Sequence, residues 1–236
     1  MYTGDDLFNQ DKRTLSEVVT DTLRYNILAG RMVSGEKIKE SFLARELEVS
    51  RAVIREAFIR LETEGLIEKK SNHSAYIKRF DYQDTEELFE YRRILEIAAA
   101  ERILNRGIDI SEELEKKLRL MKIQVYNPDD KYIDRIRLDM SFHRFMVNKC
   151  GNVHIIRSWE TLYGQLLVVL YAISRLKYTA IHDLDADMQA SHMPLVEAFR
   201  SGDIQRVRDV LIEHIGFGYH REEVAFSSAF DGGCLQ

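Results

Sequence analysis

Proline is nearly missing from this chain, with 2 in 236 residues, and glycine is sparse at 12. A β-sandwich or an α/β enzyme of this length needs a breaker at most strand connections, so the scarcity predicts a mainly α fold. Cysteine is equally rare: Cys150 and Cys234 lie far apart without Cys-x-x-Cys spacing, which excludes a disulfide framework and a cysteine zinc ribbon. The most apolar run, Leu166 to Ile173, falls well short of the roughly 20 residues that a membrane span requires. The opening MYTGDDLFNQDKR has neither the basic nor the apolar region of a signal peptide, so a cytoplasmic protein without membrane contact is expected.

Hydrophobic residues make up 45% of the chain and charged residues 31%, enough apolar mass for a core and too much for a disordered chain. A length of 236 residues suggests two modules. The formal net charge of −5 conceals an asymmetry: residues 31–80 hold 11 Lys and Arg against 8 Asp and Glu, while residues 81–236 hold 20 against 26. Only the N-terminal part has the sign to meet phosphate.

Between Thr14 and Leu28, apolar residues at Leu15, Val18, Val19, Leu23, Ile27 and Leu28 recur near the helical period, and Gly30 follows as a stop. After Ser34-Gly35, a short helix fits Glu40 to Glu46 with Phe42, Leu43 and Leu47 inward. Ser50 then caps a helix through Glu64 whose apolar stripe is Ile54, Ala57, Phe58 and Leu61. Leu66 to Lys70 and Ala75 to Lys78, joined by a polar turn, predict a hairpin. Three helices and a β-wing make a winged helix-turn-helix DNA-binding domain over residues 1–80. Residues 81–236 read as an all-α antiparallel helical bundle, with runs at 85–105, 111–126, 130–149, 152–177, 184–200 and 203–222. Trp159, Tyr163 and Tyr171 are expected in its core.

Arg51 and Arg55 stand one helical turn apart, beside the buried stripe, at the start of the second helix of the motif. An arginine fork matches the O6 and N7 acceptors of guanine, and this turn of a recognition helix enters the major groove. Ser50 would offer its hydroxyl or a backbone N–H to phosphate, while Lys69, Lys70 and His73 on the wing would add backbone contacts. The alternative is that both arginines are solvated ion-pair partners of Glu48, Glu56 or Glu62.

The stretch LRYNILAGRMVSGEKIKESFLARELEVSRAVIREAFIRLETEGLIEKK resembles the N-terminal domain of GntR-family bacterial transcription regulators. Its Ile-Leu-x-Gly turn, Leu-Ala-x-x-Leu helix and Val-Ser-Arg followed by Arg-Glu-Ala occur in the family's order. Ser34 and Val53 stand where the family favours proline, and Ser74 where the wing usually carries glycine. The resemblance implies a double-stranded operator as partner, with Arg51 and Arg55 matching the family's base-reading and phosphate-contacting arginines.

In RLDMSFHRFMVNKCGN, Asp139 and His143 are four residues apart on one helical run, so a carboxylate oxygen and an imidazole nitrogen can converge. His192 and His214 lie on two later helices among apolar neighbours. One aspartate and three histidines suit zinc, nickel, manganese or iron(II), with room for water or a ligand. By spacing alone, Asp139 and His143 also fit a simple i,i+4 pair. Residues 83–222 further resemble the all-helical FCD ligand-binding domain of the FadR subfamily. There an Asp-x-x-x-His on a central helix and two histidines on the last two helices bind a divalent metal, and all four positions are filled here. The resemblance extends to Gly151-Asn152 and to the Arg92 to Glu96 spacing. Arg92 is expected either to bind an effector carboxylate, to pair with Glu96, or both, and Asn152 to serve as a pocket amide or a helix N-cap. His154, His182 and His220 are expected at the surface.

The expectation is a homodimeric transcription regulator, gated by a small organic-acid effector bound near a divalent metal, zinc foremost. The rival from another class is a metal-dependent enzyme using the His/Asp site, against which stands the lack of a motif such as HExxH.

Overall fold

The computed structural model describes residues 13–70, 74–121, 131–177 and 184–216; His73, His182 and His220 lie outside the described residues. The chain divides between Arg79 and Phe80 into two compact units. No helix among the described residues is long and apolar enough to cross a membrane.

In the first unit, α1 (Leu15–Leu28) opens with a capping box: the Thr14 hydroxyl accepts from the Glu17 N–H at 3.3 Å, and the Glu17 carboxylate accepts from the Thr14 N–H at 2.8 Å. Its buried stripe is Ser16, Val19, Thr20, Leu23, Ile27 and Leu28. Leu15 and Val18, members of the apolar repeat, are 55% and 47% exposed, because helical geometry carries the stripe through Ser16 and Thr20 instead. The Thr20 hydroxyl donates to the Ser16 carbonyl at 2.7 Å, so its burial leaves no donor unmatched.

α2 (Glu40–Glu46) also departs from expectation. Ala44 is its buried residue, Leu43 and Leu47 are half-buried, and Phe42 faces solvent at 51% exposure with the Arg45 guanidinium 5.6 Å from its ring centroid. Glu48 takes a left-handed φ of 54° in the turn that follows. α3 (Arg51–Thr63) buries the predicted Ile54, Ala57, Phe58 and Leu61, each no more than 2% exposed, and packs against α1 and α2. Gly65 (φ 67°) ends it and turns the chain into the sheet.

The expected hairpin is present as β2 (Ile67–Lys69) and β3 (Ala75–Ile77), paired antiparallel with Glu68 opposite Tyr76. A further strand, β1 (Lys37–Ile38), adds to the other edge of β3, giving the order β1-β3-β2. Ser34 contributes to this edge by donating its hydroxyl to the Lys78 carbonyl at 3.0 Å.

The second unit is wholly helical among its described residues. α4 (Tyr82–Asn105) starts three residues before the expected Thr85, because Asp81 and Asp84 form a capping box there. It is followed by α5 (Ser111–Met121), α6 (Lys131–Lys149), α7 (Val153–Lys177), α8 (Leu184–Ser201) and α9 (Ile204–Gly216). α4 packs against α6, α7 and α9; α5 against α6 and α8; α6 against α7; and α8 against α9. The run from Leu166 to Ile173 is spent on this core, where Leu166 and Val169 are fully buried. Trp159 and Tyr171 are buried as expected, whereas Tyr163 is half-buried under the Arg144 guanidinium.

Candidate nucleic-acid interface and metal centre

The start of α3 is built by Ser50, whose hydroxyl accepts from the Val53 N–H at 3.3 Å. A proline at position 53 would lack that donor, so the valine lets the serine cap the helix through its side chain. Arg51 and Arg55 both project to solvent, but differently. Arg51 has no carboxylate partner among the described residues, while the Arg55 Nε donates to Glu40 of α2 at 2.8 Å. The pairing expected as an alternative thus occurs for Arg55, with a partner other than Glu48, Glu56 or Glu62. On the wing, Lys69 pairs with Glu62, and Lys70 lies 3.6 Å from the Glu68 carboxylate and 4.5 Å from the Tyr76 ring centroid. All these pairs are exposed, so water or phosphate can replace them at little cost.

The second unit brings Asp139 and His143 of α6, His192 of α8 and His214 of α9 together. One ligand atom from each lies within 4.8 Å of the others. Asp139 Oδ1 is 3.1 Å from His192 Nε2, and His143 Nε2 is 3.1 Å from His214 Nε2. Phe142 walls the cluster edge-on, its ring centroid 4.8 Å from that of His192.

Each imidazole is anchored through its other nitrogen. His143 Nδ1 is 2.7 Å from Glu96 Oε2, His214 Nδ1 donates to the Ser191 carbonyl at 2.9 Å, and His192 Nδ1 is 3.0 Å from the Ser191 hydroxyl. Such outer hydrogen bonds orient rings for metal binding. Pro194 lies inside α8 and lacks the N–H that would bond the Ala190 carbonyl.

The electrostatics favour a cation. Burial pushes the His214 imidazole well below its ordinary pKa, and His192 and His143 push it further. Burial also lowers His143, against the opposing pull of Glu96. Burial works to raise Asp139, yet the His192 hydrogen bond and the charges of His192, His143 and Arg92 hold it well below the usual carboxylate range. A carbonyl only accepts, so His214 Nδ1 carries a proton, and His143 Nδ1 donates to an ionised carboxylate. In the neutral rings both Nε2 atoms then present lone pairs toward each other at 3.1 Å. That arrangement is repulsive unless a proton or cation sits between them, and the three nitrogens with one carboxylate oxygen fit a divalent ion.

The expected Arg92–Glu96 pair and the buried Trp159 are both present, but sequence reading placed neither beside this cluster and missed Ser191 altogether. Glu96 is fully buried; its Oε1 accepts from Arg92 Nε at 2.7 Å and from Trp159 Nε1 at 3.1 Å. The inward stripe of α4 runs through both charges, and following the period through them would have marked the pair as interior. Arg92 is 3% exposed. Asn152 is the N-cap of α7, its side-chain oxygen accepting from the His154 N–H at 3.0 Å and the Ile155 N–H at 3.4 Å. His154 is exposed, as expected.

The family described as "Bacterial regulatory proteins, gntR family" matches residues 15–77, and the FCD domain matches residues 87–217. This chain belongs to the GntR family of transcription regulators, with an FCD domain. The GntR regulators are not enzymes, and the His/Asp cluster belongs to the FCD domain. The chain is 26% identical over 205 residues to the probable D-xylose utilization operon transcriptional repressor of Paenarthrobacter nicotinovorans, covering 86% of this chain and 87% of that protein. It is 29% identical over 142 residues to the gluconate operon transcriptional repressor of Bacillus licheniformis, covering 59% and 57%. The fold is similar to that of Escherichia coli McbR/YncC, with a TM-score of 0.66 at 18% identity over 87% of this chain and 95% of that one. It is also similar to Lar of Listeria monocytogenes, with a TM-score of 0.59 at 20% identity over 88% and 96%.

Proposed function

We propose that this GntR regulator is a homodimer that binds a near-palindromic operator through its winged helices and changes DNA affinity when a small organic acid binds beside a divalent metal in the FCD domain. The observation that carries the reading is the cluster of Asp139, His143, His192 and His214, all within 4.8 Å, on the chain that also carries the GntR motif. These four residues would hold the ion, with zinc the first choice and nickel, manganese or iron(II) as alternatives. Bound there, it would act as a Lewis acid toward an effector carboxylate.

Arg51 and Arg55 would read base edges, Ser50 would meet phosphate, and Lys69, Lys70 and His73 would contact the backbone. Arg92 is within electrostatic reach of Asp139, and it would add a cationic contact for the effector through the guanidinium nitrogens not spent on Glu96. Asn152 needs only its capping role. One relative is named for a gluconate operon, so hydroxycarboxylates are the first acids to try, with the neutral sugar D-xylose, for which another relative's operon is named, as the comparison ligand. An effector can act only by binding two conformations of the regulator unequally.

The test is a salt titration of the metal-loaded protein on the DNA upstream of its own gene against an unrelated fragment, with and without added organic acids. Preferential binding that an acid alters supports the reading; equal binding to both fragments, unmoved by acids or by chelation, refutes it.

A further inference from the structure

Glu96 is where three elements meet. It lies on α4, its Oε2 is 2.7 Å from His143 Nδ1 on α6, and its Oε1 takes hydrogen bonds from Arg92 Nε on α4 and Trp159 Nε1 on α7. Both donors on the Oε1 side are obligatory, since neither a guanidinium nor an indole N–H can accept. The carboxylate therefore has its two oxygens assigned, one to Arg92 and Trp159, the other to His143. Its charge is balanced by Arg92, and it is fully buried without being one of the four clustered ligands.

We propose that Glu96 is the positioning carboxylate of the metal centre: it holds His143 as the Nδ1–H tautomer, so that Nε2 keeps its lone pair for the ion, and it links the centre to Arg92 and Trp159. This inference rests on the metal reading above. The chain holds 1 Trp, so indole emission reports from a residue two hydrogen bonds from the cluster.

Replacement by glutamine is a nearly isosteric test with a defined consequence. With Arg92 and Trp159 both donating on one side, the amide introduced by Glu96→Gln must turn its oxygen toward them and its NH2 toward His143. His143 Nδ1 then becomes an acceptor and its proton moves to Nε2, so the ring can ligate only by returning that proton to Nδ1 against the amide N–H. Outer-sphere partners of this kind are worth about 10- to 100-fold in metal affinity.

The experiment measures Zn(II) affinity by competition with a chromophoric chelator for the full-length wild type and Glu96→Gln, alongside the Trp159 emission change and the thermal midpoint of each metal-free protein. Expected are wild-type binding with a change in emission, and an affinity about 10- to 100-fold weaker with a reduced emission change in the variant. Binding by the wild type that Glu96→Gln leaves unchanged overturns the proposal while leaving the metal reading intact; no binding by the wild type overturns both. If the variant fails to fold because Arg92 is left uncompensated, the tautomer of His143 in the metal-free wild type decides, read by long-range proton–nitrogen NMR with His143→Gln for assignment. A proton on Nδ1 supports the positioning role, and an Nδ1 without a proton ends it.

Discussion

Arg55 Nε holds the Glu40 carboxylate at 2.8 Å, whereas Arg51, one turn nearer the start of the same helix, has no carboxylate partner among the described residues. On the proposed reading the two arginines would meet DNA from different starting points. Arg51 loses only water, while Arg55 must exchange an exposed ion pair worth about 0–1 kcal/mol. Arg51→Ala and Arg55→Ala are each expected to cost about 1–3 kcal/mol of specific operator affinity without lowering the thermal midpoint. Glu40→Gln should do the opposite, strengthening binding by freeing Arg55 and removing a negative charge near phosphate. Electrophoretic or fluorescence titrations at fixed salt check all three, and unchanged affinity on loss of either arginine removes that residue from the interface.

Ser50 allows capping to be separated from phosphate contact. Ser50→Ala removes the acceptor for the Val53 N–H and should cost about 1 kcal/mol of stability in the first unit along with some DNA affinity. Ser50→Asp keeps the cap but places a carboxylate against the phosphates, so its thermal midpoint should match wild type while DNA binding falls further than in the alanine variant. If the aspartate variant binds DNA as well as wild type, position 50 does not approach the backbone.

The recognition helix was legible because its stripe of Ile54, Ala57, Phe58 and Leu61 and its capping serine are local signals with one period. Helix α1 shows where hydrophobicity misleads: Leu15 and Val18 are apolar but point outward, and Ser16 and Thr20 take the buried positions because the helix angle places them there. β1 spans two residues, too short to carry any alternation, and exists only because β3 offers an open edge to Lys37 and Ile38. The four-residue cluster was found through Asp-x-x-x-His spacing together with family resemblance. Its outer shell was not, because the contact from Glu96 to His143 spans 47 residues and that from Glu96 to Trp159 spans 63. No local pattern encodes either.

The wing lysines should behave differently from the arginines. Lys69 and Lys70 sit in exposed pairs with Glu62 and Glu68, so releasing them to phosphate costs little. Lys69→Ala and Lys70→Ala are expected to weaken binding to operator and unrelated DNA alike, each lowering the slope of log affinity against log salt by about 1. A loss confined to the operator would assign a base contact instead.

At the cluster, His192→Ala and His214→Ala each remove one of four donors, and a divalent ion left with three binds more weakly. Lower metal content after dialysis, measured by elemental analysis, and a blunted response of DNA binding to effector are expected from both. Chelation of the wild type should reproduce the second effect and lower its thermal midpoint, because an ion that binds only the folded state stabilises it. Full occupancy in either variant would make that histidine a core residue.

Arg92 is the hardest position to test, because its guanidinium already balances Glu96 in a buried pair. Arg92→Ala leaves that carboxylate without its cation, a change of the kind that costs about 3–5 kcal/mol, so loss of function there would say nothing about an effector. Arg92→Lys keeps the charge beside Glu96 and removes the fork that an effector carboxylate would grip. The lysine variant is expected to fold, to retain metal and to bind operator as wild type does without effector. The organic acid concentration for half-maximal response should rise about tenfold, the effect of losing one charge-assisted hydrogen bond of about 1.5 kcal/mol. An unchanged response would confine Arg92 to its pairing with Glu96 and leave effector recognition to the metal and the remaining walls of the site.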